Sequence, residues 1–160
     1  SIRAGPTYRE SMTQSDSPAQ ASDDIGEYRA TLEMDHETAV EHVRSAFTDA
    51  GFGIATEFAP SAMLNEKIDA GRDPYTVIGA CHPVMADRAL DASAKQMGAL
   101  FPCNVVVWES DPGRQVVYHI SIMKAAMQTG IAPDDEAMAA IATETGALVE
   151  EAWGALETAG

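Results

Sequence analysis

The chain has 160 residues, 46% of them hydrophobic, and a net charge of −15 from 25 acidic against ten basic side chains. This length and apolar fraction suit one domain with a real core, and the acidity excludes nucleic acid and anionic membrane surfaces, because both partners need a basic footprint. With lysine confined to Lys67, Lys95 and Lys124, the composition points to a haloarchaeal, high-salt cytoplasm, where a Debye length of about 3 Å screens self-repulsion; an acidic protein kept soluble by its charge is the plainer reading.

Residues 1–26 are rich in Ser, Asp, Gln, Ala and Pro and poor in large apolar residues, so they read as an arm, flexible or held by a partner subunit. From Glu27 a two-residue alternation of Tyr28, Ala30, Leu32 and Met34 predicts a strand with one wet face. Asp35 is placed as an N-cap, and Ala39, Val40, Val43, Ala46, Phe47 and Ala50 form one helical stripe that Gly51 ends. Phe52, Ile54 and Phe58 restore the strand period. Pro60 then opens a short helix with Met63, Leu64 and Ile68.

Residues 75–81 predict a third strand, mixed enough on both faces to lie inside a sheet. Pro83 marks a helix start directly after Cys81-His82. Residues 103–109 and 115–120 form two more strands, joined by the turn signal Ser110-Asp111-Pro112-Gly113 and therefore antiparallel. A short helix over 122–129 follows, then a long one capped by Asp134, with Met138, Ile141, Thr145, Val149, Ala152 and Trp153 on its face. The order predicts an α+β fold: a sheet of about five strands, partly antiparallel, with helices packed on it and a long C-terminal helix. Residues 27–160 are expected to be one domain, with strands and crossing helices over 28–120 and C-terminal helices over 122–157.

Gly51-Phe52-Gly53-Ile54-Ala55-Thr56-Glu57, Pro74-Tyr75-Thr76-Val77-Ile78-Gly79-Ala80-Cys81-His82-Pro83, Ala86 with Ala89-Leu90, and Pro102-Cys103-Asn104-Val105-Val106-Val107 occur in one order along the chain. Together they resemble the domain of unknown function family 302, over roughly Tyr28 to Ile120. The resemblance implies a compact α+β domain, commonly a homodimer, and carries no activity and no catalytic residues with it. The chain departs from the family pattern at His82, where Asn is usual, at Phe101, where Leu is usual, and at Ser121-Ile122, where Asp-Pro is frequent.

The chemistry gathers at the two cysteines, each at a strand end beside a proline. Cys81 precedes a helix start, where free backbone donors and the helix dipole favour a thiolate. If the third and fourth strands are antiparallel neighbours, Cys103 arrives beside it, with His82 adjacent and Met85 one turn on. Cys81, His82, Pro83, Cys103 and Asn104 are the candidate ligand-binding residues. Cys81, His82, Cys103 and His119 are the candidate metal set, a soft group of donors suited to Cu(I), Zn or haem iron held without covalent attachment. The plainer reading is that both cysteines fill a core. The expected function is a homodimeric, or higher homo-oligomeric, module that binds a small ligand or soft metal at this corner; a thiol redox or sulfur-transfer protein and a purely structural assembly domain are the alternatives.

Other motifs carry less. His36 and His42 are six positions apart rather than four, so they lack zincin spacing and are expected to be solvated. Glu144, Glu150 and Glu151 read as a wet helix face, and Met123, Met127 and Met138 as core or interface filler. Gly51-Phe52-Gly53 lacks phosphate-loop context, and no nucleophile elbow is present. Two cysteines make no disulfide framework, and no apolar run nears the ~20 residues that span a bilayer. A cytoplasmic protein with reduced thiols is expected; no signal-peptide pattern is evident, while the missing initiator Met leaves room for trimming.

Overall fold

A computed structural model describes residues 25–158; the expected arm therefore lies outside the described residues, apart from Ile25 and Gly26. The elements are β1 (Tyr28–Glu33), α1 (His36–Asp49), β2 (Gly53–Phe58), α2 (Pro60–Ile68), β3 (Tyr75–Cys81), α3 (Pro83–Ala92), a 3-10 turn (Gln96–Leu100), β4 (Cys103–Asp111), β5 (Arg114–His119), α4 (Ile122–Thr129) and α5 (Glu136–Thr158). The strands form one sheet in the order β1-β5-β4-β3-β2. Every neighbouring pair is antiparallel, so the sheet is antiparallel throughout rather than in part. Gly113, at φ +75°, supplies the left-handed position that the Pro112-Gly113 turn requires. Among the described residues no helix is long and apolar enough to cross a membrane.

Directly paired residues share a face. Tyr28, His119, Val105 and Ile78 make one inward row, and Ala30, Val117, Val107 and Thr76 another. Against them pack Val43 and Phe47 of α1 and Val149, Ala152, Trp153 and Leu156 of α5, which closes the main core. A second, smaller core lies apart from it, built from Ala89, Met97, Met123, Ala126, Met138 and Ile141 of α3, the 3-10 turn, α4 and the first turns of α5. The long helix thus belongs to both cores. Thr145 and Gly146 sit on it between the residues assigned to each.

Three local expectations are corrected. A bulge between Ile54 and Thr56 breaks the period of β2, so Phe58 pairs with Val77 on the outward face and is 52% exposed. The cap of α5 is Asp135, not Asp134: Asp135 Oδ1 accepts from the Met138 N–H at 2.9 Å. His36 is not solvated. Its Nδ1 lies 2.8 Å from Gln115 Oε1 and its Nε2 2.8 Å from Thr76 Oγ1, while Gln115, fully buried, donates to Met34 O and Glu109 Oε2. The helical period assigned His36 to a wet surface because it ignores what β5 and β3, through Gln115 and Thr76, offer the first residue of α1. His42 is half-buried as well, with Nε2 lacking a partner among the described residues. The short α2 leaves Met63 and Ile68 largely exposed.

Candidate functional site

Antiparallel pairing of β3 with β4 brings the two cysteine segments to one end of the sheet. Ala80 is the register partner of Cys103, so Cys81 sits one position out of register with it. The segments also touch through Gly79, where a Cβ would fall 2.5 Å from Pro102 Cγ and 2.1 Å from Thr56 Oγ1. Only glycine lets the proline lie down on β3. Beside this contact is an apolar crevice of about 30 Å³, lined by Cys81, His82, Met85, Phe101, Cys103 and Met123 among others. Pro83 and Asn104 are outside it. At that size it has room for little more than a water molecule or two.

Behind Cys103 the space widens. A cleft of about 300 Å³ runs between β5, α4 and α5, and its lining includes Tyr28, His119, Ser121, Thr143, Thr145 and Gly146. Cys103, Ile122, Met123 and Thr145 line both spaces and form the wall between them. Neither Thr145 nor Gly146 stood out in the sequence, where they read as one core position and one helix glycine. A glycine inside a strong helical pattern was the available signal, and Gly154 on the same helix shares it.

The chemistry of each group follows from its surroundings. His82 is the N-cap of α3: its Nδ1 accepts from the Met85 N–H at 3.5 Å, and its ring meets Phe52 edge-on at 5.6 Å. Asparagine, usual at this position in the family that the sequence resembles, is also a strong N-cap residue, so the same structural task accounts for both residues. Cys103 is buried, and burial, with a smaller contribution from the neighbouring Cys81, pushes its thiol up to about 12. It remains a neutral thiol. His119 is buried too; burial holds its pKa below the ordinary value, partly offset by the bond from Nδ1–H to the Asn104 carbonyl at 2.8 Å. Asn104 contributes that carbonyl while its side chain belongs to an exposed residue. Of the expected metal set, Cys81 and His82 line the crevice, His119 lines the cleft, and Cys103 stands between them. Among the described residues no three His, Cys, Asp or Glu side chains come together as metal ligands.

The sequence model of the family described as "Domain of unknown function DUF302" matches residues 28–156. The fold is similar to the crystal structure of an uncharacterised conserved DUF302 protein from Bacillus stearothermophilus, with a TM-score of 0.69 and 19% identity, over 81% of this chain and 96% of that one. No curated protein matches the chain.

Two outcomes are expected. His82→Asn retains the stability of the wild type in urea denaturation, whereas His82→Ala loses about 1 kcal/mol with its cap. For His119, the folded pKa lies below the ordinary 6.5, so the unfolded chain takes up the proton first and stability is lost as pH falls below 6.5. Denaturation free energies measured from pH 7.5 to 5 at fixed salt should fall more steeply for the wild type than for His119→Asn; parallel curves would rule this out.

Proposed function

The chain belongs to the DUF302 family, and from that premise we propose that it is a homodimeric module that binds a small molecule behind Cys103. The observation that carries the binding half is the seam between the two cores, where Cys103, Met123 and Thr145 separate a narrow apolar crevice from a cleft of ligand size. A molecule rather than a soft metal is favoured because, among the described residues, no three His, Cys, Asp or Glu side chains come together as metal ligands, and the cysteine on the cleft wall, Cys103, is buried. His82 is committed to capping α3.

The second copy is assigned to the sheet face away from the helices. Across all five strands runs the row Phe58, Val77, Val106, Tyr118 and Arg29, and beside it Tyr75, Trp108, Val116 and Thr31. Tyr75 and Trp108 stack at 6.0 Å, and the Arg29 guanidinium lies 5.4 Å from the centre of the Trp108 ring. Trp, Tyr and Arg are the side chains that dominate protein interfaces. These two rows hold no acid, although the chain has 25. Two strongly acidic copies repel least where acids are few, and on this face they stand at the margin of the two rows, where Glu27 accepts from the Tyr118 hydroxyl and Glu33 pairs with Arg114.

Xenon is a suitable guest for testing the binding half, since it enters apolar cavities. Under xenon pressure, amide shifts in the full-length protein should move at Cys103, Met123 and Thr145 and not across the open sheet face; no movement there would reject a binding space. For the assembly half, light scattering should give a dimer mass for the wild type and a monomer mass for Trp108→Glu with unchanged circular dichroism. A wild-type monomer, or a Trp108→Glu dimer, would reject the sheet face.

A further inference from the structure

Two adjacent residues of α5 are better explained by an occupant of the cleft than by the fold. Thr145 is only 8% exposed, and its Oγ1 has no hydrogen-bond partner among the described residues. Threonines in the helices here commonly return their hydroxyl to the preceding turn: Thr143 bonds Ala139 O at 3.0 Å and Thr129 bonds Ala125 O at 2.8 Å. Thr145 does not, and it lines both the crevice and the cleft. A buried hydroxyl left unpaired loses its hydration with nothing in return. Gly146 beside it weakens the helix relative to alanine. No close approach demands it, because a Cβ at Gly146 would meet nothing within 4 Å. It leaves open the space into which a side chain would project.

We infer, resting on the ligand-binding reading above, that the cleft takes an uncharged molecule with an apolar body and one hydroxyl or carbonyl group, which hydrogen-bonds to Thr145 Oγ1. The walls beside that oxygen supply the apolar contact: Ile122 and Met123 on α4, and Val149 on α5. Most of the other polar groups of the walls, Tyr28, Ser121 and Thr143 among them, are neutral. Cys103 stays a thiol and His119 is held toward its neutral form by burial. Formal charge occurs as one of each sign, Lys124 and Glu150, so the lining carries no net charge that would select an anion over a cation. Beside Thr145, between Ile122, Met123 and Val149, an ion would give up its hydration against apolar walls. One hydrogen-bonding group on an apolar frame is what a single unpaired hydroxyl can select.

Four compounds with one frame and different heads make the test: 2-methylnaphthalene, 2-naphthalenemethanol, 2-naphthoate and 2-naphthylmethylammonium, each titrated into the full-length protein at constant salt and followed by amide shifts. The alcohol should bind best, with shifts at Thr145 and Gly146 and an affinity at least about 10-fold above either ion. Thr145→Val should lower alcohol affinity about 3- to 10-fold, to the level of the hydrocarbon, and leave the hydrocarbon unchanged. Gly146→Leu should abolish binding of all four while the thermal midpoint is kept or raised, which separates a filled cleft from a misfolded chain. If an ion binds best and Gly146→Leu removes it, the cleft is a ligand site and the uncharged class is wrong. Should the alcohol keep its advantage in Thr145→Val, the assigned hydrogen bond is wrong. If Gly146→Leu changes no binding, or if none of the four binds, the cleft is not the site and the binding reading falls with it.

Discussion

The site depends on a mismatch of lengths. Helix α5 has 23 residues, about 34 Å at 1.5 Å per residue, while a six-residue strand of this sheet covers about 20 Å. The C-terminal half of α5 buries Val149, Ala152, Trp153 and Leu156 on the sheet. Its first half extends beyond that support and would expose Met138 and Ile141 to water if nothing else covered them. Helices α3 and α4 with the intervening 3-10 turn do so, and a second core results. Two cores on one rigid helix cannot both be optimised at the point where they meet. The seam opens there, at Thr145 and Gly146, opposite the first residue of β4.

That first residue is Cys103, and its position explains why the two cysteines have different lives. The register pairs Cys103 with Ala80, so its side chain faces the helices and is buried. Cys81 ends β3 one step away and stays half-buried at the edge of the crevice. The crevice between them is short because Phe101 and Pro102 close over it, with Pro102 resting on the bare backbone of Gly79. The conspicuous sequence feature is thus largely a packing device. The roomier space is on the other side of Cys103, where the sequence offers no motif.

Much of the fold was legible because local signals agreed with one another. The alternation around Leu32, the stripe from Ala39 to Phe47 and the Pro112-Gly113 turn each named their element, and a hairpin between β4 and β5 followed from the turn alone. What escaped depends on partners far away in sequence. Phe58 reads as inward until the bulge after Ile54 turns it out. His36 reads as wet until Gln115, 79 positions later, takes its Nδ1. His82 looked like added chemistry because a titratable ring draws attention, yet the helix start it precedes asks only for an acceptor. The expected ligand set was half legible: the strand ends named Cys81, His82 and Cys103 as neighbours, and register, invisible in one sequence, separated His119 from the crevice and left Asn104 with only a carbonyl to offer.

Charge then becomes informative by where it is missing. A chain with 25 acids and ten bases gains solubility from acid on every surface that should stay wet. Under that pressure an acid-free region of any extent needs a reason, and burial against something is the simplest. The main core and the small core have theirs within the chain. The two acid-free rows of the open sheet face, with Trp108 between Tyr75 and Arg29, and the cleft wall from Cys103 to Thr145, do not. They lie on opposite sides of the same strands. A copy seated on one leaves the other reachable, since the helices that frame the cleft stand away from the face the copy would cover. The proposed assembly and binding would therefore not compete for surface, and the sheet between them is the element both would have to share.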